Sequence, residues 1–251
     1  MWFKRRHFFT VALLVVILYI SMRMTEFDLA KFRDFRNMID FLHEWFPMET
    51  SKLDGMISDS LETIAMAFLG SFLGLLIALP ISFAAAKNTA SSSFLYQFTR
   101  IILSFMRSIP EIVFGLILLT VLGLGPFPAV LAILFHNIGV LGKLISELIE
   151  SSDPGPKEAL EAVGAKRWFA YLFSILPQIW PNVLSHYFYR LEVAIRTSLI
   201  LGFIGGGGIG QRLFIDFKTF QYSSVSMDVF IIMVIVICVD LLGSYVRNKV
   251  I

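Results

Sequence analysis

Residues 61–86 constrain this chain more than any other part of it. After Glu62 the stretch carries no charge, and at about 1.5 Å per residue a helix of that length crosses the roughly 30 Å hydrocarbon layer of a bilayer. Gly70 and Gly74 fall within it at the GxxxG spacing that lets membrane helices approach closely. Of 251 residues, 57% are hydrophobic, 25 are Phe and only 16% are charged, whereas a soluble domain carries roughly a quarter charged residues. A soluble fold of this size could not hide that much apolar surface, so membrane lipid is the expected surrounding. Lys and Arg number 21 against 19 Asp and Glu, which gives no basic excess to suggest nucleic acid as a partner. The single Cys238 allows no internal disulfide and reads as a small apolar filler. His7, His43, His136 and His186 are scattered without metal-ligand spacing, so no metal site is expected.

The remaining runs predict six spans. Lys4-Arg5-Arg6 precedes a short apolar stretch, 8–22, with no small-residue cleavage site after it, so it reads as a retained first span with the amino terminus inside. Residues 26–59 mix both charge signs with Phe27, Phe32, Phe35, Phe41, Trp45 and Phe46, which suits an amphipathic segment on the outer surface or a plain linker. The outer cations Lys31, Arg33, Arg36 and Lys52 dilute the positive-inside pattern. The span at 61–86 then ends inside near Lys87. Apolar character from 94 to 124 is interrupted at Arg107-Ser108-Ile109-Pro110-Glu111, where proline demands a break, and the third span is placed mainly after it. A tight turn at 123–128 leads to a fourth span, 129–149, whose inner end is marked by Lys143, Glu147 and Glu150. After Pro177 and Pro181 a fifth span runs outward to about residue 204. A glycine-rich turn and a polar loop to about 228 precede the sixth, 229–246, and Arg247 and Lys249 put the carboxyl terminus inside.

Between the fourth and fifth spans lies the inner polar loop, 151–174. Ser152-Asp153-Pro154-Gly155-Pro156 supplies helix-starting chemistry, Glu158 suits a helix amino end and Gly164 is a left-handed stop. A helix of about two turns follows, too short to stand alone, with Leu160 and Val163 on one side and Ala159 and Ala162 permitting close approach. It reads as a docking element, or else as an ordinary connecting loop with a glycine cap.

Here the sequence resembles the permeases of ATP-binding cassette (ABC) importers, whose cytoplasmic signature begins Glu-Ala-Ala, continues to Gly and ends in Leu-Pro. Glu158-Ala159-Leu160, Gly164 and Leu176-Pro177 stand at that spacing, with departures at Leu160 and Ser174. Arg107-Ser108-Ile109-Pro110-Glu111, Gly123-Leu124-Gly125-Pro126, Gly139-Val140-Leu141-Gly142-Lys143-Leu144, Tyr189-Arg190-Leu191-Glu192-Val193-Ala194-Ile195-Arg196 and Gly205 to Gly210 are similar, in order, to the phosphonate (phosphonate, phosphite, phosphate) transport permeases, with Ala194 where a polar residue is usual. The resemblance implies an all-α membrane protein of type I ABC importer permease fold, with a five-helix core at 60–251 and an added anchor and outer segment at 1–59. It implies a bacterial inner-membrane, multi-pass transport subunit rather than an enzyme. It further implies a homodimer seated on a cytoplasmic ABC ATPase dimer and fed by an extracytoplasmic phosphonate-binding protein. This chain would hold no cofactor, ATP and Mg being bound by the ATPase. The coupling role in that family carries to Glu158, Ala159, Leu160, Gly164, Ala165, Lys166 and Arg167.

Three polar features interrupt the apolar spans. Arg190, Glu192 and Arg196 lie well inside the fifth, where charge is tolerated only toward a bundle interior or aqueous path. Glu192 and Arg196 can pair at i, i+4, leaving Arg190 as a surplus cation. Either these line an anion path or they only orient helices. His136 and Asn137 in the fourth span touch the same path or form a satisfied buried pair. Pro110 marks a hinge, and Gly205, Gly206, Gly207 and Gly208 read as an outer gate or a helix stop. Although Gly205 to Gly210 formally contains GxGxxG, it follows a span and faces outside, and no P-loop occurs in the sequence. Two other functions compete: a permease for another small anion, and an ion-coupled secondary transporter, for which Glu192 is the acidic candidate. A membrane enzyme would need a nucleophile or an acid-base cluster, and none is evident.

Overall fold

The computed structural model of the chain describes residues 5–28, 30 and 35–250. Lys4, Phe32 and the outer cations Lys31 and Arg33 lie outside the described residues. The described residues are helical, without a strand, and the chain divides into two compact units, Met1–Glu44 and Trp45–Ile251.

The first unit holds α1 (Arg5–Met24) and α2 (Phe35–His43). The apolar part of α1, Phe9–Met24, is shorter than the helices that pass for full spans. In α2, Met38, Ile39, Phe41 and Leu42 alternate with Arg36, Asn37, Asp40 and His43 at helical spacing, so the expected amphipathic element is a short helix.

The second unit opens with residues 45–52, whose Trp45 ring stacks on Tyr222 and whose Glu49 amide donates to the Ser223 carbonyl at 3.1 Å. Helix α3 (Leu53–Ala84) follows, 32 residues and about 48 Å long. Its start eight residues before the predicted span turns part of the expected outer segment into helix. Small residues on α3 make its contact with α6 (Pro126–Ser151). A Cβ on Gly70 would lie 2.7 Å from Ile133, and one on Gly74 2.8 Å from the Asn137 Cβ, so the GxxxG pair sits where the two backbones touch.

Helices α4 (Ser93–Ser108) and α5 (Glu111–Leu122) meet at 85°. Ile109, extended at φ −86°, ψ 121°, obeys the restriction that proline places on the residue before it. The third span is therefore not mainly after the break. Twelve residues of α5 reach only about 18 Å, so a crossing needs both halves.

Helix α6 is the centre of the unit, packed against α3, α4, α5 and α9 (Leu176–Leu201). The connection to α9 contains α7 (Gly155–Ala162) and α8 (Arg167–Ala170). Pro177 and Pro181 do not begin the fifth span, since helix runs unbroken from Arg167 to Gly206. A wide π-helical turn at Tyr171–Ile175 contains Phe173, the residue whose carbonyl Pro177 would otherwise clash with, and absorbs the conflict. A second wide turn spans Gly202–Gly206, after which the chain bends by 56° into α10 (Gly208–Lys218).

The predicted polar loop to 228 is thus largely helix, with α11 starting at Tyr222 and ending at Val250. The amide of Ile209 donates to the Thr63 hydroxyl at 3.0 Å, a tertiary contact that starts α10 despite its glycine-rich beginning. Cys238 on α11 is exposed and fills no core space.

Three helices, α3, α6 and α11, are long and apolar enough to cross a membrane, and five crossings result if each bent pair counts as one. Apolar packing forms an inner cluster around Ile145, Ile179 and Val183 and an outer one around Met66, Ile133 and Ile195. Between them, on α6 and α9, lie Asn137 and Arg190.

Candidate functional site

Arg190 is buried and fully engaged. Its Nε donates to Asn137 Oδ1 and its Nη2 to Glu111 Oε1, each at 2.7 Å. The second oxygen of Glu111 accepts from the Thr197 hydroxyl at 2.9 Å. His136 places Nε2 3.5 Å from the same carboxylate and Nδ1 3.0 Å from the Ile109 carbonyl. Three of the predicted path residues, Arg190, His136 and Asn137, therefore converge on the α4–α5 break. The reading of Arg190 as a surplus cation is overturned, because Glu111 neutralises it. That carboxylate also corrects the view of Glu192 as the sole acidic candidate. An acid directly after proline in an apolar run was the signal for it.

Glu192 and Arg196 form the expected i, i+4 pair, at 2.5 Å. Glu192 is buried, while the Arg196 side chain is 53% exposed. Arg247 of α11 approaches the second Glu192 oxygen at 3.7 Å, so this acid faces two cations and forms a site separate from the Arg190 cluster.

On the inner loop, α7 forms where expected, and none of its residues is buried. Glu158 lies in its first turn. Gly164, at φ +86°, ends the turn that follows. Its amide donates to the Glu161 carbonyl at 3.0 Å and the Ala165 amide to that of Leu160 at 3.1 Å, the paired bonds of a Schellman stop. Glu158, Ala159, Lys166 and Arg167 are exposed, whereas Leu160 and Ala165 are half-buried. Val163, Trp168 and Phe169 add exposed apolar surface that the family signature did not single out. The loop is fixed to the bundle by Lys157 on the Asn88 carbonyl at 3.3 Å and Tyr171 on the Thr89 carbonyl at 3.1 Å.

At the other end, Gly205, Gly207 and Gly208 all have positive φ, a conformation that disfavours side chains. The segment is packed rather than loose. The Gly125 amide donates to the Gly205 carbonyl at 2.9 Å, the Gln211 side chain accepts from the Gly207 amide at 2.9 Å, and a Cβ on Gly208 would strike Thr63. Beside it opens a cavity of about 540 Å³, lined among others by Asp59, Glu62, Arg212 and Asp216. Arg212 holds Asp59 at 2.5 Å and stands 3.9 Å from Asp228, whose carboxylate is buried with neither oxygen hydrogen-bonded. Sequence reasoning missed this cluster, because its members lie on three different helices. Among the described residues no group of His, Cys, Asp or Glu is placed to hold a metal.

Apolar helices broken at two points, charges held inside the bundle and a solvent-facing inner helix together define a membrane transport subunit. The chain belongs to the family of binding-protein-dependent transport system inner membrane components, whose model matches residues 70–251. It is a permease component rather than an enzyme. It is 33% identical over 205 residues to the phosphite transport system permease protein PtxC of Stutzerimonas stutzeri, covering 82% of this chain and 74% of PtxC. With the phosphate-import permease protein PhnE of Mycolicibacterium smegmatis it shares 32% identity over 214 residues, 84% of this chain and 40% of that one. These likenesses bear out the family resemblance drawn from the motifs. The fold is similar to a chain of the inward-facing MetNI methionine ABC transporter, with a TM-score of 0.70 at 20% identity over 81% of this chain and 100% of that chain.

Proposed function

We propose that the chain is the membrane permease of an ABC importer that moves phosphonate or a related phosphorus oxyanion into a bacterial cytoplasm. The substrate class is supported by PtxC and PhnE, whose names carry phosphite and phosphate. The mechanism rests on one observation above others, the helix α7 that presents no buried residue. A helix of this length does not hold itself together in water, and its exposed face is suited to a cleft in a partner. Glu158, Ala159, Leu160, Gly164, Ala165, Lys166 and Arg167 form that coupling surface. Closure of a cytoplasmic ATPase dimer, which binds ATP and Mg, moves it.

In this reading two copies of the chain assemble around a shared path and receive substrate from an extracytoplasmic phosphonate-binding protein. Residues 1–59 act as an anchor and outer segment and 60–251 as the moving core. Six spans result, with both termini inside, when α1 counts as the first. Arg190, Glu192, Arg196, His136 and Asn137 border the path, and Pro110 with Gly205 to Gly208 supply the hinges at its two breaks.

Co-expression with an ATPase and binding protein of a phosphonate system tests the proposal. The purified complex is expected to hydrolyse ATP faster when the loaded binding protein is added, and to take up phosphite or methylphosphonate in proteoliposomes. A chain that captures no ATPase overturns the coupling reading. A coupled complex that carries neither anion overturns the substrate class.

A further inference from the structure

Arg107 stands apart from every other cation at its depth. The uncharged stretch of α3 centres on Gly74, which packs against Asn137 of α6. Two residues along α6, a Cβ on Gly139 would lie 2.6 Å from the Arg107 backbone nitrogen. Arg107 therefore starts from the level at which the apolar layer is deepest, about 15 Å from either edge of a typical bilayer. Arg190 at that level meets Glu111, and toward the inner side Lys143 meets Glu147 at 2.9 Å and Arg100 meets Glu150 at 2.8 Å. Arg107 has no ion pair or side-chain hydrogen bond among the described residues, and it is exposed. An unpaired guanidinium facing lipid there is strongly disfavoured, and such residues face water or a ligand.

The surroundings of Arg107 suit an anion. It lines a groove of about 480 Å³ with Ser104, Ser108, Val140 and Leu144. The Ser108 hydroxyl already donates to the Phe105 carbonyl at 2.8 Å, whereas Ser104 has no partner and is exposed. A guanidinium with one free hydroxyl a turn away offers a fork for two phosphoryl oxygens and a donor for a third. The neighbouring α4–α5 break is held by Glu111 and His136, so the Arg107 end of α4 is fixed while its side chain stays open.

We propose that Arg107, assisted by Ser104, is the mid-membrane contact for the transported phosphorus oxyanion. This places the anion contact on α4 instead of on the neutralised Arg190, and it rests on the substrate class proposed above. The test uses the complete transporter of permease, ATPase and binding protein in proteoliposomes, with phosphite and methylphosphonate as probes. Arg107→Gln, in complexes that retain the ATPase, is expected to lower uptake at least about tenfold, as loss of a charge-assisted hydrogen bond would. Ser104→Ala is expected to lower it less, and Arg107→Lys to recover part of it. Arg107→Cys in a Cys238→Ser background is expected to react with an anionic, membrane-impermeant thiosulfonate, and phosphite is expected to slow that reaction. Wild-type uptake by Arg107→Gln overturns the contact while leaving the substrate class intact. Should Arg107→Gln fail to assemble, the thiol decides, and one that stays unreactive overturns the contact. If the wild-type transporter carries neither anion, the substrate class falls and takes the contact with it.

Discussion

The two polar clusters of the bundle are built on opposite terms. Around Arg190 the charges balance and the contacts close, since one acid meets one base and Asn137 and Thr197 fill the remaining positions. Around Arg212, three acids, Asp59, Asp216 and Asp228, share one cation, and the Asp228 oxygens go without hydrogen bonds beside an open cavity. A buried polar network is rigid when fully satisfied and a source of strain when it is not. The contrast teaches that the proline break is locked by its side chains, whereas the glycine break is bordered by a cluster that water or a moved side chain would satisfy better.

The comparison breaks if the two clusters respond alike to loss of their cation. Arg190→Gln strands the Glu111 carboxylate in the core and is expected to cost about 3–5 kcal/mol, read as a large fall in the detergent unfolding midpoint. Arg212→Gln strands acids beside a wet cavity, and about 1–3 kcal/mol is expected in the same assay. Thr197→Val removes one donor from Glu111 and sharpens the first half of the contrast with a loss of about 1–2 kcal/mol. Asp228→Asn relieves the excess of acids and is expected to leave the midpoint unchanged or slightly raised. A loss there comparable to that of Thr197→Val would show the outer cluster to be as closed as the inner one.

The smallest effect is expected at Glu49. Hydrogen bonds from Ser51 first, then Ser224, hold its carboxyl below the ordinary value of 4.5. Its contribution to seating residues 45–52 is therefore complete above that value and fades as pH falls through the lowered one. Trp45 fluorescence in an acid titration reads this directly, and a Ser224→Ala variant should lose part of the same change.

What the sequence made legible was local. The Gly70 and Gly74 contact, the break at Pro110, the two-turn α7 with its Gly164 stop and the Glu192–Arg196 pair all depend on residues within a few positions of one another. What it concealed was distant. Glu111 and Arg190 are 79 positions apart, and no periodicity announces that one will neutralise the other, so Arg190 read as unmatched. Helix α10 was hidden for a related reason. Its leading glycines signal a break, and only the contacts with Thr63 and Asp59 on α3 make helix the better outcome. The prolines of α9 misled in the reverse sense, because the wide turn before them removes the clash that usually stops a helix.

That turn at Tyr171–Ile175 also makes a statement about descent. A π-helical turn is an α-helix carrying one residue more than its hydrogen-bond ladder needs. Residues 171–175 are thus where this lineage can tolerate a single-residue gap in alignment with its relatives. Deleting one residue there would restore ordinary α register and leave Arg190, Glu192 and Thr197 pointing as they do now. The same deletion four residues past Pro181 would turn each of them by about 100° away from its partner.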